Sequence, residues 1–114
     1  MSALLLIDPV LAGDPALPDL RERLRLRGAG CVVLSESTPK ALLRAAGVDA
    51  PLSWLATRDP GAVMAAATAG LAGIVVIGST GAERDAGALV RFSPDLASAT
   101  IAMVPRDGGC WHGK

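Results

Sequence analysis

Short apolar runs that alternate with helical patterns constrain the fold of this chain more than any other feature of its sequence. Each run has the length of a buried strand, and the run at residues 74–77 is β-branched throughout, as strands favour. The runs that predict strands are residues 3–7, 31–34, 52–56, 74–77 and 100–104. Because helix signals separate them, strands and helices are expected to alternate along the chain.

The helix signals lie at both ends of the intervening segments. Leucines recur at helical spacing from residue 17, and a glycine at residue 28 stops that pattern. Thr38-Pro39 and Asp59-Pro60 each place a capping residue before a proline at the first helical position. A fourth helix is predicted over residues 82–90. Five strands alternating with four helices predict a doubly wound, Rossmann-like domain of three α/β/α layers with a parallel five-stranded sheet.

One domain accounts for the whole pattern. A chain of 114 residues suits one hydrophobic core, so residues 1–104 are predicted to form the domain and residues 105–114 a flexible tail. The hydrophobic fraction of 51% excludes intrinsic disorder. Since aromatic residues make up only 3%, the core must be built from Ala, Leu, Val and Ile.

Charge and cysteine usage exclude some partners and compartments. Eleven basic residues balance eleven acidic ones, which argues against nucleic acid as the main partner and is compatible with a homodimer. Two cysteines at opposite ends of the chain, Cys31 and Cys110, do not make a disulfide framework. No apolar run approaches the roughly 18–20 residues of a membrane span. A cytoplasmic protein that does not bind membranes is expected.

Polar residues follow the predicted strands at the positions where doubly wound sheets bind ligands. Their chemistry fits an anion or phosphoryl site, with a carboxylate as nucleophile or metal ligand and an arginine as counter-charge. The loop at residues 78–81 is expected to lead into a helix N-terminus, which favours negative charge. The candidate residues are Asp8, Ser35, Arg58, Gly78, Ser79, Thr80 and Glu83.

Each candidate also has a purely structural interpretation. Asp8 stands before Pro9 and could simply terminate a strand. Ser35 could cap the second helix, and Arg58 could pair with Asp59 or Asp85. The loop at residues 78–81 lacks the Gly-Lys-Ser/Thr of a Walker loop and the GxGxxG dinucleotide pattern, so it could be a generic strand-to-helix turn.

From residue 3 to residue 104 the arrangement resembles the haloacid dehalogenase superfamily of phosphohydrolases. Residues 4–8 resemble its first motif, whose leading aspartate is the phosphorylated nucleophile. Residues 32–35 resemble the second motif, which ends in a phosphoryl-binding serine or threonine. Residues 58–60 resemble the third motif with its charge-neutralising cation, and residues 75–83 resemble the acidic fourth motif.

The resemblance implies a Mg²⁺-dependent phosphatase site. Asp8 would be the nucleophile, with Ser35 and Arg58 as further catalytic groups. Ser35 and the residues 78–80 would bind the phosphoryl group, and Asp8 with Glu83 would hold the metal.

Two departures from the family's motifs lower the expected activity. The general acid–base should stand two residues past the nucleophile, where this chain has Val10. The magnesium-binding aspartate after the fourth-motif glycine is Ser79 here. Loss of a general acid costs about 10²–10⁴ in rate, so weak or no turnover is expected. The spacing also leaves no room for an inserted cap, so a partner or a large ligand would have to close the site.

Three functional hypotheses follow. The first is a degenerate, capless phosphohydrolase, and the second is a pseudoenzyme that binds a phosphorylated ligand or a protein partner. The third is a receiver-like signalling domain with Asp8 in its acidic pocket, although the third predicted strand lacks a phosphoacceptor aspartate. The segment Cys110-Trp111-His112 has too few ligands for a structural zinc site, and its role stays open.

Overall fold

The described part of the chain forms one mostly parallel sheet of six strands, and helices pack on both of its faces. The computed structural model of the protein describes residues 3–99. The strands are β1 Leu4–Ile7, β2 Gly30–Val33, β3 Trp54–Thr57, β4 Gly73–Ile77, β5 Arg84–Asp85 and β6 Leu89–Ser93. The helices are α1 Leu17–Leu26, α2 Pro39–Ala46 and α3 Val63–Ala69.

The strands lie in the order β2-β1-β3-β4-β6-β5. Neighbouring strands from β2 to β6 are parallel, and only the two-residue β5 runs antiparallel, against β6. The connection from β1 leads outward to β2, and β3 then returns to the other side of β1. The predicted α/β domain with a mostly parallel sheet is therefore confirmed, and residues 3–99 alone contribute six strands to it.

Local capping signals position the helices as the sequence predicts. The Thr38 hydroxyl accepts a hydrogen bond from the Ala41 N–H at 3.2 Å, at the start of α2. The Asp59 carboxylate caps a short 3-10 turn that precedes α3, accepting from the Gly61 N–H at 2.9 Å. Gly70 ends α3 with a φ of 80°, a left-handed conformation that glycine adopts without steric cost.

Aliphatic side chains fill a core on each face of the sheet. Alternate residues of β1 point to opposite faces, so Leu5 packs with α1 while Leu6 packs with α2 and α3. The helix α1 contributes its buried leucines, including Leu20 and Leu24, to the first core. Trp54 is a buried aromatic exception on the α1 side, and the partly buried Phe92 packs against the core on the other face. Within residues 3–99, no helix has both the length and the apolar character that crossing a bilayer requires.

The predicted helix over residues 82–90 is wrong, because this segment forms β5 and the start of β6. Gly87 adopts a φ of 92°, and its N–H donates to the Asp85 carboxylate at 3.1 Å. This turn chemistry reverses the chain between the two strands. The fifth parallel strand is therefore β6, whereas the strand predicted at 100–104 and the tail predicted at 105–114 lie outside the described residues.

Candidate functional site

The strand order decides which predicted site residues lie close together at the carboxyl end of the sheet. Asp8 directly follows β1, Arg58 directly follows β3 and Gly78 directly follows β4. Ser35 is exposed, beyond the end of the outermost strand β2. Neighbouring strands are about 4.8 Å apart, so Asp8 is one strand from Ser35 and Arg58 but two strands from Gly78.

Both oxygens of the Asp8 carboxylate accept hydrogen bonds within the fold. Asp8 Oδ2 accepts from the Thr57 hydroxyl at 2.8 Å, and Oδ1 accepts from the Val10 N–H at 3.1 Å. The second contact caps the 3-10 turn Pro9–Leu11 that follows β1. Asp8 therefore links the end of β1 to β3. This contact supports the structural interpretation, in which Asp8 terminates the first strand.

Thr57 is a site residue that the sequence motifs do not indicate. Its side chain is fully buried, and its hydroxyl donates to Asp8 while accepting from the Asp59 N–H at 3.1 Å. A buried hydroxyl needs such partners, because leaving it unsatisfied costs about 1–3 kcal/mol. The signal in the sequence is a polar residue that ends an otherwise apolar run, but only the pairing of β1 with β3 reveals its acceptor.

A cavity of about 420 Å³ lies at the carboxyl ends of β3, β4 and β6, which is a size that suits a small ligand. Arg58 is exposed, and within residues 3–99 its guanidinium forms no salt bridge with Asp59, Asp85 or any other acid. The Gly78 N–H is used inside the fold, since it donates to the Ser93 carbonyl at 2.8 Å. The lining residues are Asp14, Arg58, Ile77, Gly78, Ser79, Pro94 and Asp95.

Two carboxylates share this cavity with Arg58. Asp14 Oδ1 accepts from the Ala16 N–H at 2.8 Å, and Asp95 Oδ1 accepts from the Ser98 N–H at 2.9 Å. Each carboxylate thus caps a turn through one oxygen, and the hydrogen-bond capacity of the other oxygen is left for a ligand. Because the cavity is lined by one cation and two carboxylates, electrostatic repulsion disfavours binding of a bare phosphate ion. The same charges favour a ligand that also carries hydrogen-bond donors.

Glu83 lies far from Asp8, its predicted partner at a metal. Arg91 on β6 donates through Nε to Glu83 Oε2 at 2.9 Å, and β3 and β4 lie between β6 and β1. Three strand spacings amount to about 14 Å, too far for two ligands of one ion. In the part of the chain from residue 3 to residue 99, no three His, Cys, Asp or Glu side chains are grouped to hold a metal.

The loop at residues 78–81 lacks the predicted helix N-terminus, because β5 follows it and not a helix. The expectation that unpaired helix N–H groups bind an anion there is therefore wrong. Ser79 still lines the cavity beside Arg58, whereas Thr80 is exposed and is not among the lining residues.

Replacing Asp8 with alanine is expected to lower the free energy of unfolding by about 1–2 kcal/mol, since it removes a turn cap and the acceptor of the Thr57 hydroxyl. Asp8→Asn keeps the capping oxygen and should cost less. Urea denaturation of both variants measures the difference. A gain in stability for Asp8→Ala would contradict a structural role. It would indicate instead that the Asp8 carboxylate destabilises the fold and is retained for function.

The Asp8–Thr57 pair and the cavity beside Arg58 therefore lie next to each other at the carboxyl end of the sheet, whereas the Glu83–Arg91 pair lies at the middle of β6. Glu83 is therefore kept apart from the residues that follow β1, β3 and β4. Comparison of this chain with protein-family models, with curated proteins and with solved structures gives no match.

Proposed function

We propose that this chain is a non-catalytic binding module that holds a small phosphorylated ligand in the cavity beside Arg58. The observation that carries the proposal is the joint lining of this cavity by the exposed Arg58 and by Ser79 at the carboxyl end of a parallel sheet. Doubly wound sheets bind their ligands at this end. On this proposal the domain has a doubly wound α/β scaffold and lacks the chemistry of the haloacid dehalogenase family.

The residues that a phosphohydrolase of that family would use do not fit turnover in this chain. Asp8 already accepts hydrogen bonds on both oxygens, and the position of the general acid–base is taken by Val10, an apolar side chain that is 61% exposed. Glu83 is paired with Arg91, several strands from Asp8. The two predicted Mg²⁺ ligands are therefore poorly placed to share an ion, and weak or no hydrolysis is expected.

The mixed charge of the cavity defines the ligand that we propose. The Arg58 guanidinium can donate two parallel hydrogen bonds to a phosphoryl group, and the Ser79 hydroxyl can donate a further one. The remaining oxygens of Asp14 and Asp95 can accept from hydroxyl or ammonium groups of the same molecule. A sugar phosphate or an aminoalkyl phosphate combines both features, whereas inorganic phosphate lacks the second.

Calorimetry with sugar phosphates, aminoalkyl phosphates and inorganic phosphate tests this proposal in the absence of added metal. Arg58→Ala is expected to weaken binding of the preferred ligand at least about tenfold, because charged hydrogen bonds contribute about 1.5–3 kcal/mol. Arg84→Ala is the matched control, since Arg84 is an exposed arginine on β5 that does not line the cavity. The proposal is wrong if no phosphorylated compound binds, or if both variants bind equally well.

An activity assay separates this proposal from the enzyme hypothesis. Purified protein with Mg²⁺ and an aryl phosphate is expected to show no hydrolysis above background. Hydrolysis that Asp8→Asn abolishes would instead support a phosphatase with Asp8 as its nucleophile.

The strand order favours a second candidate, a receiver-like signalling module. The order β2-β1-β3-β4-β6 corresponds to the doubly wound order found in receiver domains and flavodoxins. Asp8 then lies in the acidic pocket, and Thr57 occupies the end of β3 where a phosphoacceptor carboxylate would be needed. Such a module would signal through a protein partner without being phosphorylated.

Acetyl phosphate with Mg²⁺ distinguishes the two candidates when followed by intact-protein mass spectrometry. The wild type is expected to gain no phosphoryl group under either candidate. If the receiver-like arrangement is correct, Thr57→Asp should gain one phosphoryl group, and adding Asp8→Asn to that variant should prevent the gain. A Thr57→Asp variant that folds but stays unmodified would count against the receiver-like candidate.

A further inference from the structure

We propose that β2 is an interface through which two copies of this chain pair antiparallel and join their sheets. β2 is an edge strand, and within the described residues it pairs with β1 alone. An edge strand presents a row of backbone donors and acceptors that another strand can use. The identity of the groups that point outward determines how a second copy would fit.

The register of β1 and β2 identifies those groups. Gly30 N–H donates to the Ala3 carbonyl at 3.0 Å, and Leu34 N–H donates to the Ile7 carbonyl at 2.9 Å. Backbone groups of successive residues in a strand point to opposite sides, so even-numbered residues of β2 face β1. The N–H and C=O groups of Cys31 and Val33 therefore point away from the sheet.

Antiparallel pairing about a two-fold axis at Val32 satisfies all of these outward groups. Cys31 of one copy lies opposite Val33 of the partner subunit, and the two residues exchange both hydrogen bonds. The symmetry repeats the exchange on the other side of the axis, which makes the contact self-complementary. Pairing with a different protein would need a strand of matching register, whereas a second copy supplies one by symmetry.

The two edges of the sheet differ in the features that prevent pairing. β5 forms one edge with Arg84 and Asp85, both exposed, and charged side chains are a common protection of sheet edges. β2 forms the other edge with the sequence Gly-Cys-Val-Val, which has neither charge nor proline. The chain's net charge of zero leaves little long-range repulsion between copies.

The helix beside β2 also comes close to its symmetry mate in such a pair. The helix α1 packs against β2, and a two-fold axis perpendicular to the sheet sets α1 antiparallel to its symmetry mate. Burial raises the pKa of the Cys31 thiol, and the nearby Arg21 guanidinium offsets part of that rise. Arg21 therefore lies near the axis together with Arg21 of the partner subunit, and Glu22 is paired with Arg25 of its own chain, so the pairing rests on the backbone groups of β2 and not on charge.

Disulfide cross-linking at the axis tests the geometry. Val32→Cys in a chain with Cys31→Ala and Cys110→Ser places the new cysteine opposite its own copy, at a Cα separation of about 4.5 Å that a disulfide can span. Oxidation is expected to give a covalent dimer on a non-reducing gel. Arg84→Cys in the same background is the matched control at the protected edge and should stay monomeric. Equal yields of dimer from the two variants would overturn the proposal.

Sedimentation equilibrium of the full chain provides the second measurement. The wild type is expected to dissociate from dimer to monomer on dilution, and Val33→Pro, which removes an outward N–H without touching the bonds to β1, should weaken the dimer at least about tenfold. A wild type that is monomeric up to its solubility limit overturns the proposal. A dimer that persists in Val33→Pro, without cross-linking at Val32→Cys, overturns it as well. If Val33→Pro fails to fold, the cross-linking result alone decides.

Discussion

Replacing Gly73 with alanine is expected to lower the free energy of unfolding by about 3 kcal/mol, at the upper end of the usual range for overpacking. A Cβ atom at this position would lie 2.5 Å from Cζ3 of Trp54 and 2.6 Å from the carbonyl oxygen of Leu89. The first contact is with a buried ring and the second with the backbone of the neighbouring strand β6. Since β4 is held between β3 and β6, neither contact can relax without disturbing the sheet.

Gly13→Ala is the matched control for this prediction. A Cβ at Gly13 has nothing within 4 Å, so the change should alter stability by no more than about 0.5 kcal/mol. Urea denaturation of the two variants measures the contrast. A decrease of less than about 1 kcal/mol in the free energy of unfolding for Gly73→Ala would contradict this prediction. It would show that the Trp54 ring moves aside and that β4 and β6 can move apart.

Local sequence signals were sufficient to predict most of the helices and strands. Capping depends on neighbouring residues, so Thr38-Pro39 predicts the start of α2 correctly without knowledge of the sheet. Buried parallel strands are continuous apolar runs, and residues 74–77 lie within β4 as predicted. The predicted third strand at residues 52–56 is displaced, because β3 extends to Thr57, whose hydroxyl is stabilised by an acceptor on β1.

The segment at residues 82–90 was mispredicted because its alanines and apolar residues match a helix about as well as a strand. The segment forms strands because of the Asp85–Gly87 turn and because β6 pairs with β4, where Val90 lies beside Ile74. Such pairing joins residues that are distant in sequence, and no local propensity records it.

The location of the candidate site at the carboxyl end of the sheet could be predicted from sequence, but which of its residues lie together could not. Residues that follow strands can be placed at one end of a sheet from sequence, whereas their neighbours depend on the strand order. With β1 between β2 and β3, Asp8 meets Thr57 and not Glu83. Arg58 shares its cavity with Asp14 and Asp95, two acids that the motif comparison did not single out.

Replacing Glu83 with glutamine is expected to lower the free energy of unfolding by about 2 kcal/mol. Its partner Arg91 is only 8% exposed and stacks on Trp54, with its guanidinium carbon 5.2 Å from the ring centroid. Loss of the carboxylate leaves that buried charge with a weaker acceptor. The effect stays below the about 3–5 kcal/mol seen for fully buried pairs, because the Glu83 side chain is 33% exposed and solvent screens part of the interaction.

Arg91→Met is expected to cost less than Glu83→Gln, since it removes the buried charge together with its desolvation cost and leaves a flexible side chain against Trp54. A double-mutant cycle on the two positions measures the coupling directly. The same variants also test the metal role that the family resemblance implies for Glu83. If Glu83 serves the fold, Mg²⁺ should leave the unfolding curve of the wild type unchanged. Stabilisation of the wild type by Mg²⁺ that Glu83→Gln abolishes would instead make Glu83 a metal ligand.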